Sequence, residues 1–181
     1  MKYLKTRDVK NPTRGTGKSA GVDFYIPEFN HDLIHDIVQK NKYEHESNLF
    51  YIDYYRQKII LAPNAHILIP SGIKMNLELV TDTTLHDING NVFIAFNRSS
   101  IATKHQLVVG ATVIDEDYQG ELHISLINNS NRLVILEPRQ KIMQFLLLKT
   151  SYTELTEVTQ EQLFTNVSER SENGFGHTNT Y

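Results

Sequence analysis

No cysteine occurs among the 181 residues, which excludes disulfide bridges and thiolate metal sites. No apolar run approaches the roughly 20 residues that a membrane-spanning helix needs. Nor is there an excess of one charge: 18 Lys and Arg face 21 Asp and Glu, for a net charge of -3. Such a chain exerts no long-range pull on nucleic acid, so an anionic ligand must be held by a few local cations, backbone donors or a metal. The stretch from Met1 to Arg14 lacks the apolar segment of a secretory signal, and a cytoplasmic setting is expected. What is present is 40% hydrophobic and 22% charged, the balance of an ordinary globular protein whose length suits one domain.

Short apolar or alternating segments separated by turn residues dominate the chain: 22–26, 58–62, 67–69, 92–96, 121–128, 132–136 and 142–148. They predict a mainly β fold. Glu121 to Leu126 alternates polar and apolar, as in a strand with one wet face. Ile142 to Leu148 is almost wholly apolar and is expected to be buried on both faces. Leu33, Ile34, Ile37 and Val38 recur at helical spacing behind Asn30, predicting an amphipathic helix from His31 to Lys42. Thr159 and Gln162 have capping-box spacing. The polar stretch from Arg170 to Tyr181 is expected to be a mobile arm.

Three segments carry chemistry. Ile114-Asp115-Glu116-Asp117-Tyr118-Gln119-Gly120 puts three carboxylates and a ring in a turn. It reads either as a plain acidic hairpin turn or as a strand-edge carboxylate, Asp115, able to take a proton from an attacking water. Asn97-Arg98-Ser99-Ser100 offers a guanidinium, two hydroxyls and backbone N–H groups suited to phosphate, or is a solvated turn. The arm supplies Arg170, Phe175, glycines and Thr178, or is only a tail.

Together and in order, these pieces resemble the trimeric dUTP pyrophosphatase family over nearly the whole chain. Its five motifs are matched by Ala20-Gly21-Val22-Asp23-Phe24, Arg98-Ser99-Ser100-Ile101-Ala102, Val113 to Glu121, Lys141-Ile142-Met143-Gln144, and Arg170 with Gly174-Phe175-Gly176-His177-Thr178. The third is the most specific. The resemblance implies an antiparallel jelly-roll-like β-barrel, residues 1–169, with a helical insertion at about 29–57 and an arm, 170–181, that closes over the active site. It implies a homotrimer with shared sites that converts dUTP to dUMP and pyrophosphate, keeping uracil out of DNA. Asp115 would be the general base and Tyr118 would lie under the deoxyribose. Uracil would be read near Gly110, Thr112 and His123. Arg98, Ser99, Ser100 and Gln144 would hold phosphate, and Asp23 would steady Mg2+ through water. Arg170 would neutralise terminal phosphates, Phe175 would stack on uracil, and Gly176 and Thr178 would close on the triphosphate.

The chain departs from the family pattern at Thr112, where a Gly is usual, at Arg139 and Lys141, and at Ser171, Asn173 and Asn179. A dCTP deaminase shares the fold, but the position of its acid–base Glu holds Ser125 here, which leaves deamination without a proton carrier. The insertion, with Tyr43, Phe50, Tyr51, Tyr54 and Tyr55, reads as a surface segment packing its aromatics on its own barrel, or as a face for a protein partner.

Overall fold

A computed structural model describes residues 1–42, 50–77 and 89–166. The chain divides into two units, Met1–Ser151 and Tyr152–Tyr181, which are considered separately. The first contains strands β1 (Lys2–Lys5), β2 (Val22–Tyr25), β3 (Phe50–Asp53), β4 (Lys58–Leu61), β5 (His66–Pro70), β6 (Ile73–Asn76), β7 (Asn89–Asn97), β8 (Leu107–Val109), β9 (Val113–Ile114), β10 (His123–Asn128), β11 (Val134–Leu136) and β12 (Lys141–Ser151). Two helices join them, α1 (His31–Asn41) and α2 (Ser99–His105). In the second unit, α3 (Gln160–Leu163) is one exposed turn, opened by the expected capping box of Thr159 and Gln162.

The fold is an all-β, antiparallel jelly-roll-like domain, in which each described strand pairing is antiparallel. Its largest sheet has the order β2-β12-β7-β9. One face of that sheet is core: Phe24, Phe93 and Phe145 are each buried to 1% or less. Phe145 stacks on Phe93 at 4.8 Å and meets Phe24 edge-on at 4.6 Å, arrangements that aromatic quadrupoles favour.

Helix α1 forms as its sequence predicts. Asn30 accepts from the Leu33 amide at 2.9 Å as N-cap, and Leu33 and Ile37 are fully buried. At the other end the Asn41 amide group bonds both the N–H and the C=O of Leu68, at 2.9 Å each, so the helix satisfies the free edge of β5.

Several expectations need correction. Segment 97–100 is not merely a turn, because Ser99 begins α2. Ser125, placed on a wet face, is buried at 2% because β10 is the middle strand of β5-β10-β8; its hydroxyl meets His66 Nε2 at 2.9 Å and accepts from the Ala111 amide at 3.2 Å. Past a register shift at Ile142, segment 142–148 is buried on one face only. Ile142, Met143 and Phe145 are buried, but Leu148 is 39% exposed. In segment 29–57, Phe50 packs partly against the core, whereas Tyr51, Tyr54 and Tyr55 are exposed, so among the described residues aromatic packing on the barrel holds for Phe50; Tyr43 lies outside them. Among the described residues no helix is long and apolar enough to cross a membrane.

Candidate active site

The structure gathers Asp23, Arg98, Ser99, Ser100 and Gln144 around one cleft of about 370 Å³. Three elements bring them together: β2 carries Asp23, the β7–α2 junction carries Arg98, Ser99 and Ser100, and β12 carries Gln144. Antiparallel register sets Gln144 opposite both Asp23 and Phe96. Asp23 is 6% exposed and its two oxygens are taken separately, by Arg98 Nε at 2.9 Å and by Lys141 Nζ at 2.9 Å. The carboxylate holds the Lys141 ammonium above the usual lysine range. Two cations around one anion leave the cleft with a local charge of about +1, suited to an anion. Ser99 and Ser100 lie in the first turn of α2, where backbone N–H groups lack intrahelical acceptors.

Gly21 has a steric reason to be glycine. A Cβ there would lie 2.2 Å from Gln144 Oε1, so the first and fourth motifs interlock. Gln144 Nε2 in turn donates to the Asn97 carbonyl at 2.9 Å. Gly15 and Ser19 complete the lining from a loop that the sequence reading passed over. Lys141, which opens the fourth motif but departs from the family pattern and was given no role, also belongs to this charge cluster through its bond to Asp23.

The acidic turn follows β9. The Tyr118 amide donates to the Asp115 carbonyl at 3.2 Å, closing a four-residue turn that leaves the Asp115 side chain exposed. Tyr118, 40% exposed, donates its hydroxyl to the Glu121 carbonyl at 3.0 Å. Its ring crosses Gly120 so closely that a Cβ would sit 2.2 Å from Oη. Beyond the turn a second cleft, about 350 Å³, runs between residues 116–119 and strands β1 and β6.

Behind it, Gly110 and Thr112 lie on the stem: the Gly110 amide donates to Ser125 O, and Thr112 O accepts from the Ala95 amide at 2.7 Å. His123 starts β10 with its Nε2 buried and unpaired among the described residues. Burial pushes its imidazole below the ordinary value, and Lys40 and Arg7 add repulsion to the charged form.

One chain does not bring the turn and the cleft together. Ile114 pairs with Phe93, which sets Asp115 beside the Val92 end of β7, while Arg98 follows its other end. Along a strand that separation is roughly 20 Å. Arg170, Phe175, Gly176 and Thr178 lie outside the described residues.

A family model described as dUTPase matches residues 54–179. The chain belongs to the dUTPase family. Its similarity to the deoxyuridine 5'-triphosphate nucleotidohydrolase of Debaryomyces hansenii is 36% identity over 97% of this chain and 84% of that one. With the enzyme of the same name from Fusobacterium nucleatum it shares 34% identity over 68% of this chain and 76% of that one. Solved structures show the same fold. A point mutant of the Staphylococcus bacteriophage 80alpha dUTPase with dUpNHpp aligns over 97% of this chain and 95% of that one, with a TM-score of 0.67 and 19% identity. A point mutant of the dUTPase from phage phi11 of S. aureus, described with a structural Mg(II) ion, aligns over 88% and 97% with a TM-score of 0.60 and 16% identity.

Against the magnesium expected of a dUTPase, the donor set can be tested directly. Among the described residues no group of three or more His, Asp or Glu is placed to hold an ion. Asp23 is already compensated by two cations, so a direct metal bond there does not fit. Each of its oxygens keeps a lone pair that can accept from a water of hydration, and that outer role fits magnesium, which sheds its waters reluctantly.

Proposed function

We propose that the chain hydrolyses dUTP to dUMP and pyrophosphate, with Asp115 activating the water that attacks the α-phosphorus, at sites assembled from different copies in a homotrimer. The observation that carries this reading is the separation of Asp115 from the Arg98 cleft along β7. A triphosphate is far shorter than that distance, so the base and the phosphate cleft act together only if they come from different copies.

A second feature favours the same assembly. Val92, Ile94, Phe96, Val113, Leu146 and Leu148 share the outer face of the β2-β12-β7-β9 sheet by register. Phe96, Val113 and Leu148 are 43%, 59% and 39% exposed in the single chain. An apolar stripe of that kind marks a surface that another protein covers. It is continuous with Gln144 and Asp23, so a second copy seated on it would bring its own turn to the cleft.

In this arrangement Asp115 holds the water and receives its proton. Tyr118 lies under the deoxyribose and leaves no room for a 2′-hydroxyl, and the stem at Gly110, Thr112 and His123 reads uracil. Arg98, Ser99, Ser100 and Gln144 bind phosphate oxygens. Arg170, Phe175, Gly176 and Thr178 close the arm, residues 170–181, over a site on another copy. Asp23 would hold magnesium through a water of hydration, and the ion would supply neutralisation of phosphate charge.

The test is pyrophosphate release from dUTP, dCTP, dTTP and UTP. The reading expects dUTP to be turned over with a kcat/KM far above the other three. No turnover of any nucleotide would leave the fold as a binding module, and ammonia release from dCTP would make it a deaminase.

A further inference from the structure

The turn that carries Tyr118 is anchored from outside the five motifs. Tyr118 donates to the carbonyl of Glu121, and the Glu121 side chain, only 14% exposed, is fixed in three places. Arg7 Nε and Nη2 reach its two oxygens at 2.8 and 3.1 Å, a fork against a fork. The Gly72 amide donates to Oε1 at 2.6 Å. Gly72 has φ +75°, the left-handed region in which glycine is at ease, and a Cβ there would lie 2.9 Å from Val9, so this corner has little slack. Arg7 Nη2 also bonds Asp36 Oδ2 of α1 at 2.5 Å. A continuous set of bonds therefore runs Asp36, Arg7, Glu121, Tyr118, from the inserted helix to the ring.

We infer that Arg7 is a positioning residue for sugar discrimination: it holds Glu121, and through it the Tyr118 ring, at the height that excludes a ribose 2′-hydroxyl. The inference rests on Tyr118 being the sugar platform. A guanidinium suits the task because it is planar and always charged, and its fork fixes the direction of a carboxylate as a lysine ammonium cannot. Asp36 takes another N–H of the same group, so α1 helps to set the position of Arg7 as well as covering the barrel. Nothing in this requires Arg7 to touch the nucleotide.

The experiment compares kcat/KM for UTP and dUTP in Arg7→Met, Arg7→Lys, Asp36→Asn, Tyr118→Ala and the double variant Arg7→Met/Tyr118→Ala, each checked for folding by circular dichroism and thermal melting. Loss of one ordering contact is expected to raise the UTP-to-dUTP ratio by about three- to tenfold in Arg7→Met. Arg7→Lys should fall between Arg7→Met and wild type, and Asp36→Asn should move the ratio in the same direction by less. The double variant should be no less selective than Tyr118→Ala alone, since both act on one ring. A lost thermal margin with an unchanged ratio would show Arg7 to be structural only and would overturn the inference. If Tyr118→Ala itself leaves the ratio at the wild-type value, the sugar reading fails first and takes the role of Arg7 with it. Should Arg7→Met not fold, Glu121→Gln, which keeps an acceptor for Gly72 and removes the ion pair, gives the same reading: a raised ratio supports the inference and an unchanged one ends it.

Discussion

Replacing Gly21 by Ala isolates the interlock between the first and fourth motifs. The added Cβ would lie 2.2 Å from Gln144 Oε1 and 2.9 Å from its Cδ, where carbon and its neighbours prefer about 3.5 to 4.0 Å. The backbone at Gly21 is not left-handed, so no strain arises from φ, and the clash falls on the mobile end of a side chain. The amide must swing away, breaking its 2.9 Å bond to the Asn97 carbonyl. That costs about 1 kcal/mol of stability, well below the effect of overpacking a rigid core. In the cleft the effect is larger if Gln144 binds phosphate as proposed, because that donor is then withdrawn. Steady-state pyrophosphate release should show kcat/KM for dUTP lowered about 10- to 100-fold with the melting temperature nearly kept. In a Gln144→Ala background the same substitution should add almost nothing. A full additional loss in that background would mean that Gly21 acts by some route other than Gln144.

Other outcomes follow from the core and from His123. Phe145→Ala removes a fully buried ring from the Phe24–Phe93–Phe145 cluster and should lower stability by about 3 to 5 kcal/mol, measured by urea unfolding. His123 is held below its ordinary value of about 6.5 by burial, so between its folded and unfolded values the unfolded chain binds more protons. Its contribution to stability is therefore present above about pH 6.5 and lost as pH falls through that window, at up to about 1.4 kcal/mol per pH unit. His123→Met should flatten this acid slope relative to wild type. Equal slopes for the two proteins would show that His123 does not titrate in that way.

Much of the fold was legible in the sequence because it depends on local signals. Leu33 and Ile37 at helical spacing, and Asn30 as a cap, specify α1 with no reference to the rest of the chain. The site residues around the cleft were legible as motif members, yet their reasons were not: only the β2–β12 register shows why Gly21 must lack a Cβ. Strand β1 went unread because its four residues are all exposed and pair with β6 through the backbone, which leaves no burial pattern. Helix α2 was hidden because Ser99 and Ser100 favour turns as readily as a first helical turn. The apolar run 142–148 was read as doubly buried, and Leu148 corrected it; the composition fits a face that the single chain leaves open. Arg7 carries no motif at all, and its place beside Glu121 depends on a contact across 114 residues.

Subunit complementation decides whether the base and the phosphate cleft come from different copies. Asp115→Asn should lower kcat by about 100- to 10,000-fold, and Arg98→Ala should leave each cleft without its guanidinium, so each parent is nearly inactive. When the two are unfolded, mixed in equal amounts and refolded, a working site needs Asp115 from an Arg98→Ala chain and Arg98 from an Asp115→Asn chain. Random mixing provides both at about a quarter of sites, so dUTP hydrolysis should recover to about a quarter of wild type. Mixed assemblies confirmed by mass spectrometry, with activity no higher than either parent, would instead place both residues in one chain's site.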